Sequence, residues 1–100
     1  MQARFLKPAE AEIDEAVTYF DEQRTGLGER FEQDLLATVR FITGHPFSGK
    51  SMSGLVRKCP LRTFRYNLIY AVDDGEIVII AVAHHRRRPG YWQSRLALLR

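Results

Sequence analysis

The chain has little cysteine and no long hydrophobic run. Cys59 is the only cysteine in 100 residues, so no disulfide can form within the chain, and we expect a reducing, cytoplasmic location. The longest apolar run has seven residues, Ile77 to Ala83, whereas a membrane-spanning helix needs roughly 20. The first residues, MQARFLKPAE, lack the apolar stretch of a signal peptide. These absences predict a protein that neither crosses nor enters a membrane.

Metal-binding patterns are absent as well. No histidine or cysteine spacing is typical of a zinc site, and no series of carboxylates suited to magnesium occurs in the C-terminal half. The sequence therefore predicts no metal and no cofactor. With 45% apolar and 27% charged residues, the composition is that of an ordinary globular protein, and we expect a single domain over residues 1–100.

The charge is divided unevenly along the chain. Residues 1–44 carry a balance of −4, residues 57–100 carry +6, and the whole chain has a net charge of +3. A basic part beside an acidic one favours a polyanion or an acidic protein as partner. A merely solvated charged surface would have the same composition.

Apolar periodicity predicts the order β-α-α-β-β-β. Residues 2–6 alternate weakly as a first strand, and two stripes at helical spacing follow, separated by glycines and ended by Gly44-His45-Pro46. The polar segment FSGKSMSG (47–54) is typical of a loop, and residues 55–64, 66–72 and 76–84 are predicted strands. Residues 92–100 favour a short terminal helix. The pattern predicts an α+β fold, with a four-stranded, mainly antiparallel sheet and a helical hairpin on one face. The predicted core includes Ile13, Val17, Phe20, Phe31, Leu35, Ile69, Ile77, Ile79 and Ala81.

The last predicted strand is followed by an unusual segment, VAHHRRRPGYW (82–92). Its apolar run predicts a strand buried on both faces, and so central in the sheet. Two histidines, three arginines and two aromatic residues then follow within nine positions. So much positive charge favours contact with an anion, although the arginines would also protect an aggregation-prone strand by solubilising it. Tyr91 and Trp92 fit either a lid over the core or a platform on which a base stacks.

These residues carry a family resemblance that covers nearly the whole chain. The strand, the helical hairpin ending at His45-Pro46, and RTFRYNLIYAVDDGEIVIIAVAHHRRRPGYW (62–92) together resemble the RelE/ParE superfamily of type II toxin–antitoxin systems, which includes plasmid stabilisation proteins. The resemblance implies a small cytoplasmic toxin, neutralised in a hetero-oligomer by an antitoxin protein encoded beside it. Some members cut messenger RNA on the ribosome, others poison DNA gyrase, and a few have no assigned target.

The resemblance also implies site residues. In the nuclease branch, the catalytic positions fall on Lys58, His85 and Tyr91, with Arg86 suited to stabilising the crowded phosphate. The remaining candidates for contact with the target are Arg62, Arg65, Arg87 and Trp92.

Two positions depart from the nuclease pattern. Asn67 stands where that branch has an arginine, and Pro60 stands where it has a second lysine; Arg62 or Arg65 would have to supply the missing charge. On these residues the sequence favours a toxin that cleaves mRNA on the ribosome without a metal. The alternatives are a gyrase inhibitor without chemistry of its own, and a nontoxic module that only binds its antitoxin.

Overall fold

The computed structural model describes residues 1–99, which form two α-helices, five strands and a terminal 3₁₀ helix. In chain order the elements are β1 (Gln2–Phe5), α1 (Lys7–Gln23), α2 (Leu27–Gly44), β2 (Lys50–Ser53), β3 (Val56–Pro60), β4 (Tyr66–Asp73), β5 (Glu76–His84) and the 3₁₀ helix (Gln93–Leu99). The predicted terminal helix is thus present as a 3₁₀ helix, and its last predicted residue, Arg100, lies outside the described residues.

The helical hairpin forms where the apolar stripes predict it. Pro8 lies in the first turn of α1, where its missing N–H breaks no helical hydrogen bond, and Glu10 lies near the positive end of the helix dipole. Gly26 makes the turn between the helices with a φ of 89°, a left-handed conformation that glycine adopts without strain. Asp21 then accepts a hydrogen bond from the Gly28 backbone N–H (2.8 Å), which would otherwise have no partner in the first turn of α2.

The five strands form one mixed sheet in the order β1-β5-β4-β3-β2. β1 runs parallel to β5, and the other neighbouring pairs are antiparallel. β5 lies between β1 and β4, and its residues from Ile77 to Ala83 are all buried. The α+β class, the mainly antiparallel sheet and the internal position of β5 are therefore confirmed.

The strand count differs from the prediction by one. The sequence predicts a loop over residues 47–54, but Lys50–Ser53 pairs with β3 as the edge strand β2. All four of its residues are exposed, so neither face of the strand is buried. The sequence therefore shows no alternation of apolar and polar residues there. Backbone hydrogen bonds to β3 hold this strand, and periodicity does not detect them.

The sheet has two covered faces. The helix face packs α1 and α2 against residues that include Leu68, Tyr70 and Ile79. The second face carries Ile69, Ala71, Val78, Ile80 and Ala81, and the terminal segment covers it with Trp92, Tyr91, Leu96 and Leu99. A β-bulge in β5 places two consecutive residues on the second face. Ile69 pairs with Ala81 but Tyr70 pairs with Ile79, so the unpaired Ile80 shares a face with Ala81.

The predicted core is present. Phe31, Leu35, Ile69, Ile77, Ile79 and Ala81 are buried, and Ile13, Val17 and Phe20 are half-buried and pack against the helix-face core. Part of each of these three helix side chains reaches the surface. Phe20 contributes aromatic contacts to Phe31, Phe64 and Tyr66, with ring centroids 4.8–5.9 Å apart.

Candidate functional site

The basic segment after β5 is folded back onto the end of the sheet by main-chain hydrogen bonds. The His85 N–H donates to the Arg65 carbonyl (3.0 Å), and the Arg87 N–H donates to the His84 carbonyl (2.9 Å). The Arg86 N–H donates to Nδ1 of His84 (3.1 Å). We call residues His85–Gly90 the basic loop. Its backbone is fixed, and the side chains of its three arginines are exposed.

The position of the basic loop is set by a turn before β4. Asp34 on α2 accepts hydrogen bonds from the backbone N–H groups of Arg62 (3.2 Å), Thr63 (2.9 Å) and Phe64 (3.0 Å). These bonds hold the chain in place immediately before Arg65, whose carbonyl receives the His85 N–H. An acidic side chain of the helical hairpin thereby orders the segment on which the basic loop rests.

A shallow cavity of about 110 Å³ brings several predicted site residues together. It lies beside the basic loop on the second face of the sheet, where Lys58 is paired with Ile69 and Asn67 with Ala83. The predicted residues that line it are Lys58, His85, Arg87, Tyr91 and Trp92. Asn67, where the nuclease pattern has arginine, lines the same cavity, together with Arg88.

Three predicted site residues lie elsewhere. Among the described residues, Arg62 lines a separate cavity of about 330 Å³, with Phe41 and Cys59. Arg65 and Arg86 are exposed and do not belong to the lining of the 110 Å³ cavity. Arg62 and Arg65 therefore do not supply the charge that Asn67 lacks at this cavity.

Trp92 lies in the core. Its side chain is only 4% exposed and packs with Ile69, Val78 and Ile80 on the second face. Of the two interpretations of this residue, the geometry favours the core lid, because a ring so deeply buried offers no open face for stacking on a base.

Tyr91 is tied to α1. Its hydroxyl donates a hydrogen bond to Oε2 of Glu12 (2.5 Å). Burial, followed by the hydrogen bond to Glu12 and the charge of that carboxylate, raises the pKa of Tyr91 far above its usual range. The hydroxyl proton is thus held in an internal bond, and Tyr91 is a weaker acid than a free tyrosine.

Glu12 is the centre of a cluster that sequence analysis missed. Its carboxylate also receives two hydrogen bonds from the guanidinium of Arg95 (2.9 and 3.0 Å) and one from the Val82 backbone N–H (3.0 Å). The hydrogen bond to Glu12 raises the pKa of Arg95, although burial acts in the opposite direction. Glu12 lies 70 to 83 residues from these partners in the chain, and a single glutamate on a helix with several others carries no signal for such a contact.

Arg87 lies at the outer side of this cluster. Its guanidinium stacks on the Tyr91 ring, 3.8 Å from the centroid, and lies 4.0 Å from Glu12. The side chain is still 54% exposed. Arg87 also lines a second depression, of about 210 Å³, together with Glu15, Tyr19 and His84. It therefore lies between two concave surfaces.

The described residues contain no metal-binding group and no membrane span. Over residues 1–99, no cluster of three or more histidine, cysteine or acidic side chains has the arrangement of a metal site. None of the helices in that range combines the length and the apolar character that crossing a bilayer requires.

Fold and site together define a small α+β protein that displays cationic side chains beside a shallow cavity at one end of its sheet. The family model described as "ParE toxin of type II toxin-antitoxin system, parDE" matches residues 3–89. The chain belongs to this family of toxins.

Solved structures agree with the fold. A chain from the structure titled "Chromosomal ParDE TA system from P. aeruginosa" superposes with a TM-score of 0.74, at 18% sequence identity. The alignment covers 84% of the present chain and 95% of that chain. At this identity the likeness shows a common fold. No curated protein matches the sequence significantly.

Proposed function

We propose that this protein is the toxin of a type II toxin–antitoxin pair and that it acts by binding DNA gyrase, without catalysing a reaction itself. The observation that carries the proposal is the commitment of the Tyr91 hydroxyl to Glu12. The one phenol in the position of a nuclease tyrosine is engaged in an internal bond. The arginines of the basic loop are exposed and available to a partner.

Two cations of the nuclease pattern are missing, although Lys58, Arg87 and Arg88 line the cavity. Cleavage at a ribose needs cations that stabilise the crowded phosphate and a group that protonates the leaving oxygen. Asn67 and Pro60 supply no charge, and Arg62 belongs to a different cavity. Each missing electrostatic contact typically costs about 10²–10³ in rate.

Ribosome-associated mRNA cleavage is the second candidate, and one observation favours it. Lys58 and His85, which the nuclease resemblance assigns as catalytic, line the same small cavity. An imidazole side chain can act as a general acid or base. This candidate requires that those two groups suffice without the tyrosine.

The partner that we propose is an antitoxin encoded beside this gene, in a cytoplasmic hetero-oligomer. Membership of the toxin family supports it, and the structural relative comes from a toxin–antitoxin system. The net charge of +3 and the exposed arginines favour an acidic partner segment, which would order as it binds.

The deciding experiment induces the toxin without its antitoxin and measures three quantities together: DNA breaks, transcript ends and pulse-labelled translation. We expect early DNA breaks with intact transcripts, and inhibition of supercoiling when purified toxin is added to gyrase. The matched variant is Lys58→Ala combined with His85→Ala, which removes the two catalytic candidates that line the cavity besides Tyr91 and should leave DNA breaks detectable.

Two outcomes would contradict the proposal. Transcripts cut early, with undamaged DNA and loss of cutting in the double variant, would establish RNA cleavage. Normal growth at full expression without antitoxin would instead identify a nontoxic binding module.

A further inference from the structure

The structure points to a role for a residue remote from the basic loop in the sequence. We propose that Glu12 of α1 is a positioning residue, which fixes Tyr91 and, through the Tyr91 ring, places Arg87 for contact with the target. The inference rests on the proposed function for the identity of the target. The geometry from which it follows does not depend on that target.

The first step concerns the open edge of β5. β1 pairs with β5 only as far as Phe5 and Ile79. The Leu6 N–H donates to the Ile79 carbonyl, and α1 begins at the next residue. Beyond this point the backbone of β5 needs other partners on that edge. Glu12 accepts the Val82 N–H (3.0 Å), and Arg95 donates to the Ile80 carbonyl (3.1 Å). The Glu12–Arg95 pair thus provides hydrogen-bond partners for the edge of β5 beyond the end of β1.

The second step concerns the strength of this attachment. Glu12 and Arg95 are largely buried, with 11% and 16% of their side chains exposed, and they form two parallel hydrogen bonds. Bidentate, charge-assisted bonds of this kind hold both partners in one orientation. Glu12 therefore joins three parts of the molecule: α1, the edge of β5 and the terminal segment.

The third step leads from Glu12 to Arg87. The Tyr91 hydroxyl donates to Glu12, which anchors the outer end of the Tyr91 ring, and the Arg87 guanidinium stacks on that ring at 3.8 Å. The direct contact between Arg87 and Glu12 is long, at 4.0 Å, and the arginine is 54% exposed. An ion pair of this length, with one partner exposed, contributes little by itself. Arg87 is consequently held by the ring while its charge remains available to an anionic group of a partner.

The test compares Glu12→Gln with Glu15→Gln. The amide has the shape of the carboxylate, but it carries no charge and has a donor in place of one acceptor. Glu15 lies on the same helix and lines the same depression as Arg87 and Glu12, but it is exposed. In Glu12→Gln we expect the pKa of Tyr91, followed by NMR of labelled tyrosine, to fall toward its usual range. We also expect amide exchange over residues 87–95 to accelerate by about tenfold or more.

The functional readout is a double-mutant cycle with Arg87→Ala. If Glu12 acts through Arg87, Glu12→Gln should weaken gyrase binding by about tenfold. It should weaken binding no further when Arg87 is already alanine, because coupled residues are not additive. Glu15→Gln should match the wild type in every measurement.

Each contrary outcome has a distinct meaning. An unchanged Tyr91 pKa and unchanged exchange in Glu12→Gln would overturn the positioning role. Additive losses in the cycle would overturn it as well, because they would show that Glu12 does not act through Arg87. If wild-type toxin does not bind gyrase, the proposed function fails, and the same cycle is then measured on growth inhibition. Circular dichroism of Glu12→Gln checks that the variant folds.

Discussion

The burial of Tyr70 can be predicted from the sequence, but the hydrogen bonds of its hydroxyl cannot. The strand pattern places it in the core, and its side chain is fully buried. Its hydroxyl donates to the Pro46 carbonyl (2.9 Å) and accepts the Gly49 N–H (3.1 Å), so it anchors the segment between α2 and β2. Arg57 holds the same segment by donating to the carbonyls of Phe47 and Gly49. The apolar run of β4 from Leu68 to Val72 predicts that the ring is buried, but the partners of the hydroxyl are 21 and 24 residues away in the chain and leave no local pattern.

The variant Tyr70→Phe should lower the free energy of unfolding by about 1–3 kcal/mol, because it leaves the buried Gly49 N–H without its acceptor. Denaturant unfolding measures the change. Tyr19→Phe is the control, since Tyr19 is 54% exposed. A loss of equal size in both variants would show that the hydroxyl of Tyr70 contributes nothing specific.

At the scale of elements, the helices and the edge strand β1 could be predicted, whereas the other edge strand, β2, could not. Apolar residues every three or four positions give α1 and α2, and the run from Ile77 to Ala83 gives a buried β5. The edge strand β2 carries no such pattern, because all its side chains are exposed. The candidate site could be predicted only in part. Family resemblance led to Lys58, His85 and Tyr91, which line one cavity. Glu12 could not be predicted, because it contacts Tyr91 only when α1 packs beside the terminal segment.

The helical hairpin also depends on a close approach that can be tested. A Cβ atom on Gly28 would lie 2.5 Å from the Val17 carbonyl oxygen and 2.8 Å from the Asp21 carboxyl group. Gly28→Ala should therefore force α1 and α2 apart and lower the free energy of unfolding by about 1–3 kcal/mol. Gly44→Ala is the matched control at the end of α2, where a Cβ meets nothing within 4 Å. There alanine should leave stability unchanged or raise it by up to about 1 kcal/mol. Equal effects at both glycines would refute the steric argument.

Across the whole molecule, acidic side chains of the helical hairpin and basic side chains of the basic loop differ in whether they make internal contacts. Several acids of the helical hairpin are used internally: Glu12 binds Arg95, Asp21 caps α2 and Asp34 caps the turn before β4. The arginines of the basic loop instead remain exposed. The charge balance of the sequence could not distinguish internally bonded charges from exposed ones, because burial and hydrogen bonding depend on the tertiary structure. One end of the sheet therefore carries a cluster of exposed arginines, whereas other exposed bases, such as Arg24 and Arg30, lie on the helical hairpin.

This cluster predicts how the toxin associates with the acidic antitoxin that we propose. Long-range attraction raises association rates by about 10–10³-fold at low ionic strength and fades as salt shortens the Debye length. Replacing Arg86 and Arg88 together by glutamate should therefore slow association by at least about tenfold at low salt and flatten its salt dependence. Replacing Arg24 and Arg30 by glutamate changes the formal net charge equally, from +3 to −1, but on the helical hairpin. Stopped-flow association with the purified antitoxin at several salt concentrations compares the two variants. If only the net charge mattered, both pairs would slow binding alike; if the basic loop steers the partner, the loop variant should be clearly the slower of the two.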